Sequence, residues 1–330
     1  MDIRDTRTLK TFAAEQLTQA PEQKRIVLIY TGITLALSAL VTLINYCLGL
    51  QISQAVGLSK MGSRSMLSTL QTMLPIAQSI FLMCLDLGYV AAMLRIARGQ
   101  YSSPQTLRLG FDRFWPLLRC SLLQSLIYLG VCLAAVYLGV MLFLLSPLAK
   151  SFMDILITES TSLGQTAITL DDAAYGQLMS AMVPCLIFCC VLTLAASAPI
   201  SYRFRMASYV LIDRPGTGAV SALRESRKMM KGNCLKLFRL DLKLWWYYAA
   251  TALASVVCYG DQILPLLGVT LPWSEDVSYF VFYGLFLALE FVIYYYLRNR
   301  VEVTYALAYD AVKPKEHHDG GVVLGNIFQM

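Results

Sequence analysis

The sequence predicts an all-α membrane protein with about six transmembrane helices, and three observations lead to that fold class. Hydrophobic residues make up 57% of the 330 residues and charged residues only 15%. That charged share is well below the roughly 25% of ordinary soluble domains. Apolar runs of about 20 residues, enough to span the core of a bilayer, recur along the chain. Lys and Arg are concentrated between alternate runs, as they are in cytoplasmic loops.

Six apolar runs divide the chain into regions. They cover residues 26–50, 75–94, 120–145, 182–202, 242–260 and 278–297. We therefore expect a cytoplasmic amphipathic helix over 1–25, a six-span membrane domain over 26–312 and a flexible cytoplasmic tail over 313–330. The first run begins only at Ile26, after a charged lead-in, so we expect a retained helix rather than a cleaved signal peptide.

The charges between the runs orient the chain. The N-terminal segment, the second-to-third connection, the fourth-to-fifth connection and the C-terminal tail together hold 24 of the 27 Lys and Arg. The other side carries only Lys60, Arg64 and Lys150. Because short cytoplasmic loops are enriched in Lys and Arg, we expect both termini in the cytoplasm and an even number of spans.

Two segments beside the runs have apolar residues at helical spacing. The first stripe is Leu9, Phe12, Ala13, Leu17 and Ala20, and the second is Ala219, Ala222, Leu223, Met229 and Met230. Such helices are expected to lie in the interface with the apolar side toward the acyl chains, the alternative being a helix packed on its neighbours. Gly232 can end the second helix and Asn233 can cap the next one, which predicts a corner between a surface helix and a span.

A weak internal repeat is also visible. The order of span, turn, surface helix and span occurs around residues 95–119 and again around 203–243. Repeats of this kind are common in transporters, but they are not diagnostic of transport.

The basic run that leads into the fifth span ends in aromatic residues. Its cations and tryptophans are Arg224, Arg227, Lys228, Lys231, Lys236, Arg239, Lys243, Trp245 and Trp246. Cations next to a membrane attract anionic headgroups and aromatic side chains favour the interface, so anionic lipid on the cytoplasmic side is the expected partner. Nucleic acid is not expected, because the charge is divided among loops with no recognition fold. A protein partner or a homo-oligomer is left open.

Two carboxylates lie inside predicted spans. Asp86 precedes Arg95 by nine residues and Glu290 precedes Arg298 by eight, which places both roughly 12–14 Å from a basic residue along a helix. Charges at this depth face the bundle interior, pair or titrate. We expect a polar site between spans two and six, with Arg203 or Arg205 as the counter-charge, and the alternative is a carboxyl group that only holds helices together.

No catalytic or metal-binding pattern is present in the sequence. The only histidines are His317 and His318, both in the polar tail, and the nine cysteines include no Cys-x-x-Cys pair. There is no Walker A sequence and no dinucleotide-binding glycine fingerprint. We therefore expect no catalytic residue, no metal and no cofactor.

The stretch from Asp213 to Trp246 resembles the signature of a family of bacterial integral membrane proteins, domain of unknown function 975. The matching residues are Asp213, Pro215, Ser226, Met230, Gly232, Asn233, Lys236, Phe238 and Trp246, with Thr304, Ala306 and Tyr309 near the C-terminus. The resemblance implies a multi-pass helical protein of the bacterial cytoplasmic membrane. It implies no reaction.

Three classes of function are compatible with these observations. The first is a non-enzymatic membrane protein that binds a partner, acts as a scaffold or stabilises the bilayer. The second is a transporter, or a transporter subunit, for a small solute, ion or lipid that uses the intramembrane carboxylates. The third is an intramembrane enzyme. A continuous polar cavity that reaches Asp86 or Glu290 would favour transport, and a dry bundle would favour the first class.

Overall fold

The protein is all-α in the residues that the computed structural model describes, which are 6–54, 61–145, 172–269 and 272–313. The α-helices of these residues are α1 Thr6–Gln19, α2 Gln23–Gln54, α3 Met61–Ala97, α4 Leu109–Asp112, α5 Phe114–Leu144, α6 Asp172–Phe204, α7 Ala207–Asp213, α8 Ala219–Met230, α9 Cys234–Lys243, α10 Trp245–Cys258, α11 Gly260–Leu266, α12 Glu275–Ile293 and α13 Asn299–Val312. A 3-10 helix, Pro104–Arg108, precedes α4, and a π-helical turn, Tyr294–Arg298, joins α12 to α13.

Five helical segments of the described residues are long and apolar enough to cross a membrane. They are Gln23–Gln54, Gly62–Ala97, Phe114–Leu144, Met182–Asp213 and Glu275–Val312. All-α architecture with several candidate spans is therefore confirmed. The remaining predicted span, 242–260, is not one continuous helix: it is interrupted at Leu244 and at Tyr259. The 14 residues of α10 extend about 21 Å, less than the roughly 30 Å of a bilayer core.

The most compact part of the molecule lies at one end of the bundle, where the four basic segments meet. Lys10 Nζ of α1 donates to the carbonyl oxygen of Lys243 over 2.5 Å, and Asn299 Nδ2 donates to Gln23 Oε1 over 3.0 Å. One hydrophobic core at this end combines residues of α1, α2, α3, α7, α8, α9 and α13. We call this part of the molecule the basal layer. Its existence means that segments from the whole length of the chain share one side of the bundle.

Helix α3 is the centre of the basal layer. Its Tyr89, Ala92 and Met93 are fully buried. The segment after α3 approaches so closely that a Cβ on Gly88 would overlap the backbone of Leu107, and one on Gly110 would overlap the backbone of Cys84. Small residues allow this approach, because a side chain at either position would separate the two backbones.

The apolar stripes of α1 and α8 face protein and not lipid, so the expectation that they face the acyl chains is wrong. Leu9 and Ala13 of α1, and Ala222 and Met230 of α8, are all buried in the basal core. The alternative, a helix packed on its neighbours, describes both. Helix α9 buries Leu237 and Leu240 on one face and exposes an apolar stripe on the other. The exposed residues are Leu235, Phe238, Leu242 and, at the start of α10, Trp245.

Parts of the predicted organisation lie outside the described residues. These are residues 314–330 of the predicted tail, with both histidines, and residues 146–171 of the connection between the third and fourth predicted spans. The two halves of the predicted repeat differ in detail, because the 3-10 helix and the four-residue α4 stand where the second half has the twelve residues of α8.

Candidate functional site

Asp86 lies in a cluster of charged and aromatic side chains between α2, α3 and the π-helical turn. Arg298 Nη2 lies 3.0 Å from Asp86 Oδ1, and the hydroxyl of Tyr30 donates to the same oxygen. Three tyrosine rings surround the guanidinium, with Arg298 Cζ 4.8 Å from the ring centre of Tyr30, 5.4 Å from Tyr89 and 4.6 Å from Tyr294. We call these five residues the Arg298 cluster. Ring faces attract a cation, so the pair and the rings stabilise one another.

Not every polar atom of the Arg298 cluster has a hydrogen-bond partner in the described part of the chain. Within the described residues, Tyr89 Oη and Arg298 Nε are buried and make no hydrogen bond. Both are donor groups, and a buried donor without an acceptor costs about 1–3 kcal/mol. Glu290 accepts a hydrogen bond from Tyr294 over 3.3 Å and lies within range of the charge of Arg298. The structure therefore brings the second predicted carboxylate to the edge of the same cluster.

The expected counter-charges for Asp86 were wrong, because both arginines lie elsewhere. Arg205 Nη1 pairs with Asp241 Oδ2 at 2.5 Å. The side chain of Arg203 points into an exposed cavity, and its carbonyl oxygen accepts a hydrogen bond from Ser226 over 2.8 Å. The partner of Asp86 is Arg298, which the sequence indicated only as the basic residue that follows Glu290 and which lies at the end of the π-helical turn.

Arg205 and Asp241 form a second cluster of the same composition. Asp241 accepts hydrogen bonds from Tyr202 over 2.7 Å and from Tyr305 over 2.5 Å, besides its ion pair. Arg205 also donates to Tyr248 over 3.0 Å, and its Cζ lies 4.3 Å from the ring centre of Tyr305. A carboxylate with three donors and a guanidinium held on two sides form a neutral, rigid unit. Its residues come from several separate segments of the chain, so no local sequence pattern indicates it.

A third cluster closes the basal layer around Arg98. Its guanidinium makes a two-pronged contact with Asp310, at 2.9 and 2.6 Å, and a contact of 2.8 Å with Asp213. Hydrogen bonds to Asp310 and then Asp213 outweigh burial and raise the pKa of Arg98 above its ordinary value, so the cation is permanent. Asp213 also binds Lys313 at 2.6 Å and Tyr309 at 3.1 Å.

The predicted corner lies between α8 and α9. Gly232 has a φ of +83°, in the left-handed region that favours glycine. Asn233 does not cap α9 with its side chain: its Nδ2 donates back to the carbonyl oxygen of Met229 over 2.9 Å. The side chain therefore closes the end of α8, and the turn fixes the direction in which α9 leaves.

A cavity of about 490 Å³ opens at this corner, and we call it the basic cavity. Five cations line it, Arg203, Arg224, Arg227, Lys228 and Lys231, together with Gly232. No carboxylate lines it, and none of the five cations forms an ion pair with the described part of the chain. This arrangement concentrates positive charge that the protein itself does not neutralise.

The other predicted headgroup contacts are distributed along α9 and the start of α10. Arg239 and Lys243 are exposed, and Lys236 is half-buried. Trp245 is 66% exposed, whereas Trp246 is packed against the basal core. The predicted set therefore separates into four residues that line the basic cavity, three cations beside the exposed stripe of α9, and two tryptophans in different environments.

Three further cavities lie along the bundle. One of about 460 Å³ lies between α3, α5 and the junction of α6 with α7. One of about 350 Å³ lies between α1 and the π-helical turn, and one of about 500 Å³ lies between α2, α3 and α12. Neither Asp86 nor Glu290 lines any of these four cavities. Among the described residues, no group of His, Cys, Asp and Glu is placed to hold a metal ion.

Comparison with known families decides the relationship that the sequence motifs indicated. The model of the family described as "Protein of unknown function (DUF975)" matches residues 1–316. The chain belongs to this family. No curated protein and no solved structure matches it.

The residues that carry the DUF975 resemblance have structural roles in the basal layer. Asp213 and Tyr309, from the two ends of the motif set, are hydrogen-bonded to each other. Ser226 and Met230 are fully buried on α8, and Ala306 is fully buried on α13. These DUF975 positions therefore specify how α7, α8 and α13 pack, which explains why the motif indicates a fold and not a reaction.

Proposed function

We propose that this DUF975 protein is a non-enzymatic protein of the bacterial cytoplasmic membrane that binds anionic lipid headgroups with its basal layer. Both termini are then cytoplasmic, with the basal layer at the inner leaflet. The single observation that carries the proposal is the basic cavity, in which five cations have no partner in the described chain. Phosphate oxygens are the acceptors that such a group of arginines and lysines suits best.

The position of the basic cavity supports a lipid rather than a soluble anion. The cavity adjoins α9, whose exposed stripe of Leu235, Phe238 and Leu242 requires an apolar environment. Exposed apolar residues beside exposed cations are the composition of a helix at a membrane surface, apolar side toward the acyl chains. Helix α9 thus takes the interfacial role that the sequence analysis gave to α8.

The distribution of charge supports the orientation. The basal layer gathers the segments that hold 24 of the 27 Lys and Arg, and such segments remain on the cytoplasmic side of a membrane. Each cation near an anionic surface contributes about 1 kcal/mol, or about fivefold in affinity.

Fluorescence quenching tests the proposal. A protein that retains only Trp245 (W115F, W246F and W273F) is reconstituted with brominated phosphatidylglycerol or brominated phosphatidylcholine, and quenching gives their relative binding constant beside α9. We expect a preference for phosphatidylglycerol of about tenfold or more, from two or more of the cations. The quadruple variant R224Q, R227Q, K228Q and K231Q should lose most of that preference.

The matched control removes the same charge elsewhere in the basal layer. Arg25, Arg108, Arg119 and Arg300 are exposed and lie outside the basic cavity. The variant R25Q, R108Q, R119Q and R300Q should therefore retain most of the preference. Equal losses in both variants would mean that net charge alone attracts the lipid, and no preference in the parent protein would refute the proposal.

Transport is a second candidate, which the Arg298 cluster favours. Two buried donors that have no acceptor among the described residues, Tyr89 Oη and Arg298 Nε, lie beside a carboxylate that accepts from Tyr30. Partly satisfied networks inside a membrane occur on proton and ion pathways. In proteoliposomes with an internal pH dye and an imposed potential, a transporter would give a flux that D86N with E290Q abolishes. A flux absent from the parent, or unchanged in this variant, excludes a role of the two carboxylates in transport.

A further inference from the structure

The cavity between α3, α5 and the junction of α6 with α7 is lined by converging polar side chains, and we call it the Arg205 cavity. On α5, Ser121, Gln124 and Tyr128 recur at intervals of three and four residues, which places them on one face. Opposite them lie Ser201 of α6, Arg205 of the turn between α6 and α7, and Ser208 of α7. Polar side chains from two sides thus face one volume whose remaining lining is apolar.

The cavity lies beside the first half of α5 and the last turn of α6. Further along the pair the helices touch: a Cβ on Gly139 would lie 2.7 Å from Cys189 Sγ. Ser121 precedes Gly139 by eighteen residues, or about 27 Å of helix. The residues of α5 that line the cavity run from Leu117 to Tyr128, so the cavity lies away from this contact, toward the basal layer.

The polar groups of the Arg205 cavity are not satisfied by the protein. The side chains of Ser121, Gln124, Tyr128 and Ser208 make no hydrogen bond with the described part of the chain. A polar group that is removed from water without a partner costs about 1–3 kcal/mol. An occupant that displaces water from this volume must therefore offer several hydrogen-bond donors and acceptors.

The charge of the cavity indicates a neutral occupant. Among the described residues, Arg205 is the only cation on its wall, and its contact of 2.5 Å with Asp241 neutralises it. Tyr248 and Tyr305 fix the guanidinium in place from the other side. The basic cavity differs in charge, because its described lining has five cations and no carboxylate.

We propose that the Arg205 cavity binds a neutral, hydroxyl-rich group, either the sugar headgroup of a membrane lipid or a soluble polyol. Hydroxyl and amide side chains both donate and accept, as sugar hydroxyls do. The volume of about 460 Å³ is in the range of small-ligand pockets, roughly 300–1,000 Å³. This site is independent of the headgroup binding proposed for the basic cavity.

Two binding arms distinguish the sources of that group. Purified protein in nanodiscs is analysed by native mass spectrometry for retention of monoglucosyl diacylglycerol against dioleoylglycerol, and by equilibrium dialysis for radiolabelled glucose and glycerol. We expect one of the two arms to show saturable binding. Q124L and Y128F should each weaken it about threefold to tenfold, the effect of one lost hydrogen bond.

Matched controls are available on the same helix. Ser125 and Tyr137 are exposed on α5 and do not line the cavity, so S125A and Y137F should leave binding unchanged. S121A is the mildest cavity variant and keeps the test valid if Q124L is unstable. If water alone fills the cavity, no probe binds, and the proposal is overturned; binding that is equally strong in S121A, Q124L and Y128F overturns it as well.

A charge change tests the neutrality of the ligand. In D241N the cation of Arg205 has lost its carboxylate, so retention should shift from the glucosyl lipid toward phosphatidylglycerol. The quadruple variant of the basic cavity should keep its glucosyl-lipid binding, which separates failure of this inference from failure of the headgroup proposal. Unchanged selectivity in a folded D241N protein would contradict the assignment.

Discussion

Arg298 and Asp86 are joined by an ion pair of 3.0 Å although 212 residues separate them in the chain. The pair connects α3, the central helix of the basal layer, to the π-helical turn that precedes α13. Its three tyrosine rings come from α2, α3 and the turn itself. The ion pair and the ring of Tyr30 therefore link three spans of the bundle at the same depth.

A double-mutant cycle should show that this pair is coupled. The side chain of Arg298 is only 14% exposed, whereas that of Asp86 is 47% exposed, so the coupling is reduced by solvent at the carboxylate. We expect about 1–3 kcal/mol between D86N and R298Q. Unfolding in mixed micelles of dodecyl sulfate and dodecyl maltoside measures it.

The half-buried pair of Arg214 and Glu225, 2.7 Å apart, provides the comparison, with side chains 38% and 24% exposed. Because its cation is more exposed than Arg298, we expect less coupling between R214Q and E225Q, about 0–1 kcal/mol. If the cycle at Asp86 gives no more coupling than this one, the Arg298 cluster does not hold the spans together.

The stability of the corner between α8 and α9 should depend on the backbone conformation of Gly232 and not on the space around it. A Cβ there would meet nothing within 4 Å, but φ is +83°. A left-handed residue with a side chain costs about 1–2 kcal/mol, so G232A should lower stability by about that amount. Gly216 also has space for a Cβ and no positive φ. G216A should therefore be neutral or slightly stabilising, and equal effects of the two substitutions would contradict this account.

The close approach of α3 to the segment after it should not tolerate side chains. G88A and G110A each place a methyl group against backbone atoms, which cannot rotate away as a side chain can. We expect a loss of about 1–3 kcal/mol for each, the usual cost of overpacking. On α5, Gly130 is exposed and has nothing within 4 Å, so G130A should not destabilise the protein. Thermal unfolding in detergent distinguishes the two sets.

Much of the fold follows from local patterns, whereas the clusters depend on distant residues. Apolar length and the positions of Lys and Arg predict the long helices, and the corner at Gly232 follows from glycine chemistry. The partners of Asp86 and Arg205 could not be predicted, because no spacing along one helix specifies which other helix lies beside it. Tyr248 and Tyr305 hold the guanidinium of Arg205, although both lie far from it in the chain.

One signal near the cluster was nevertheless present in the sequence. Glu290, Tyr294 and Arg298 are spaced by four residues, which places them on one face of a helix. That face joins an acid, an aromatic ring and a cation, and the structure uses all three. The prediction of an apolar stripe on α8 was correct, but the prediction that lipid covers it was wrong. The spacing of apolar residues is the same whether lipid or protein covers the stripe.

The charge of the basic cavity should discriminate between lipids with one and two phosphates. Five cations within about 490 Å³ exceed the single charge of one phosphodiester, so a two-phosphate headgroup neutralises more of them at once. With about 1 kcal/mol for each neutralised cation, diphosphatidylglycerol should bind at least about fivefold more tightly than phosphatidylglycerol at equal phosphate concentration.

Competition between brominated and unbrominated lipids at Trp245 gives the ratio of the two binding constants. The variant R224Q with K228Q should bring it toward one, and R108Q with R119Q should not, because only the first pair lines the cavity. A ratio near one in the parent protein would show that the five cations act as separate surface charges and not as one site.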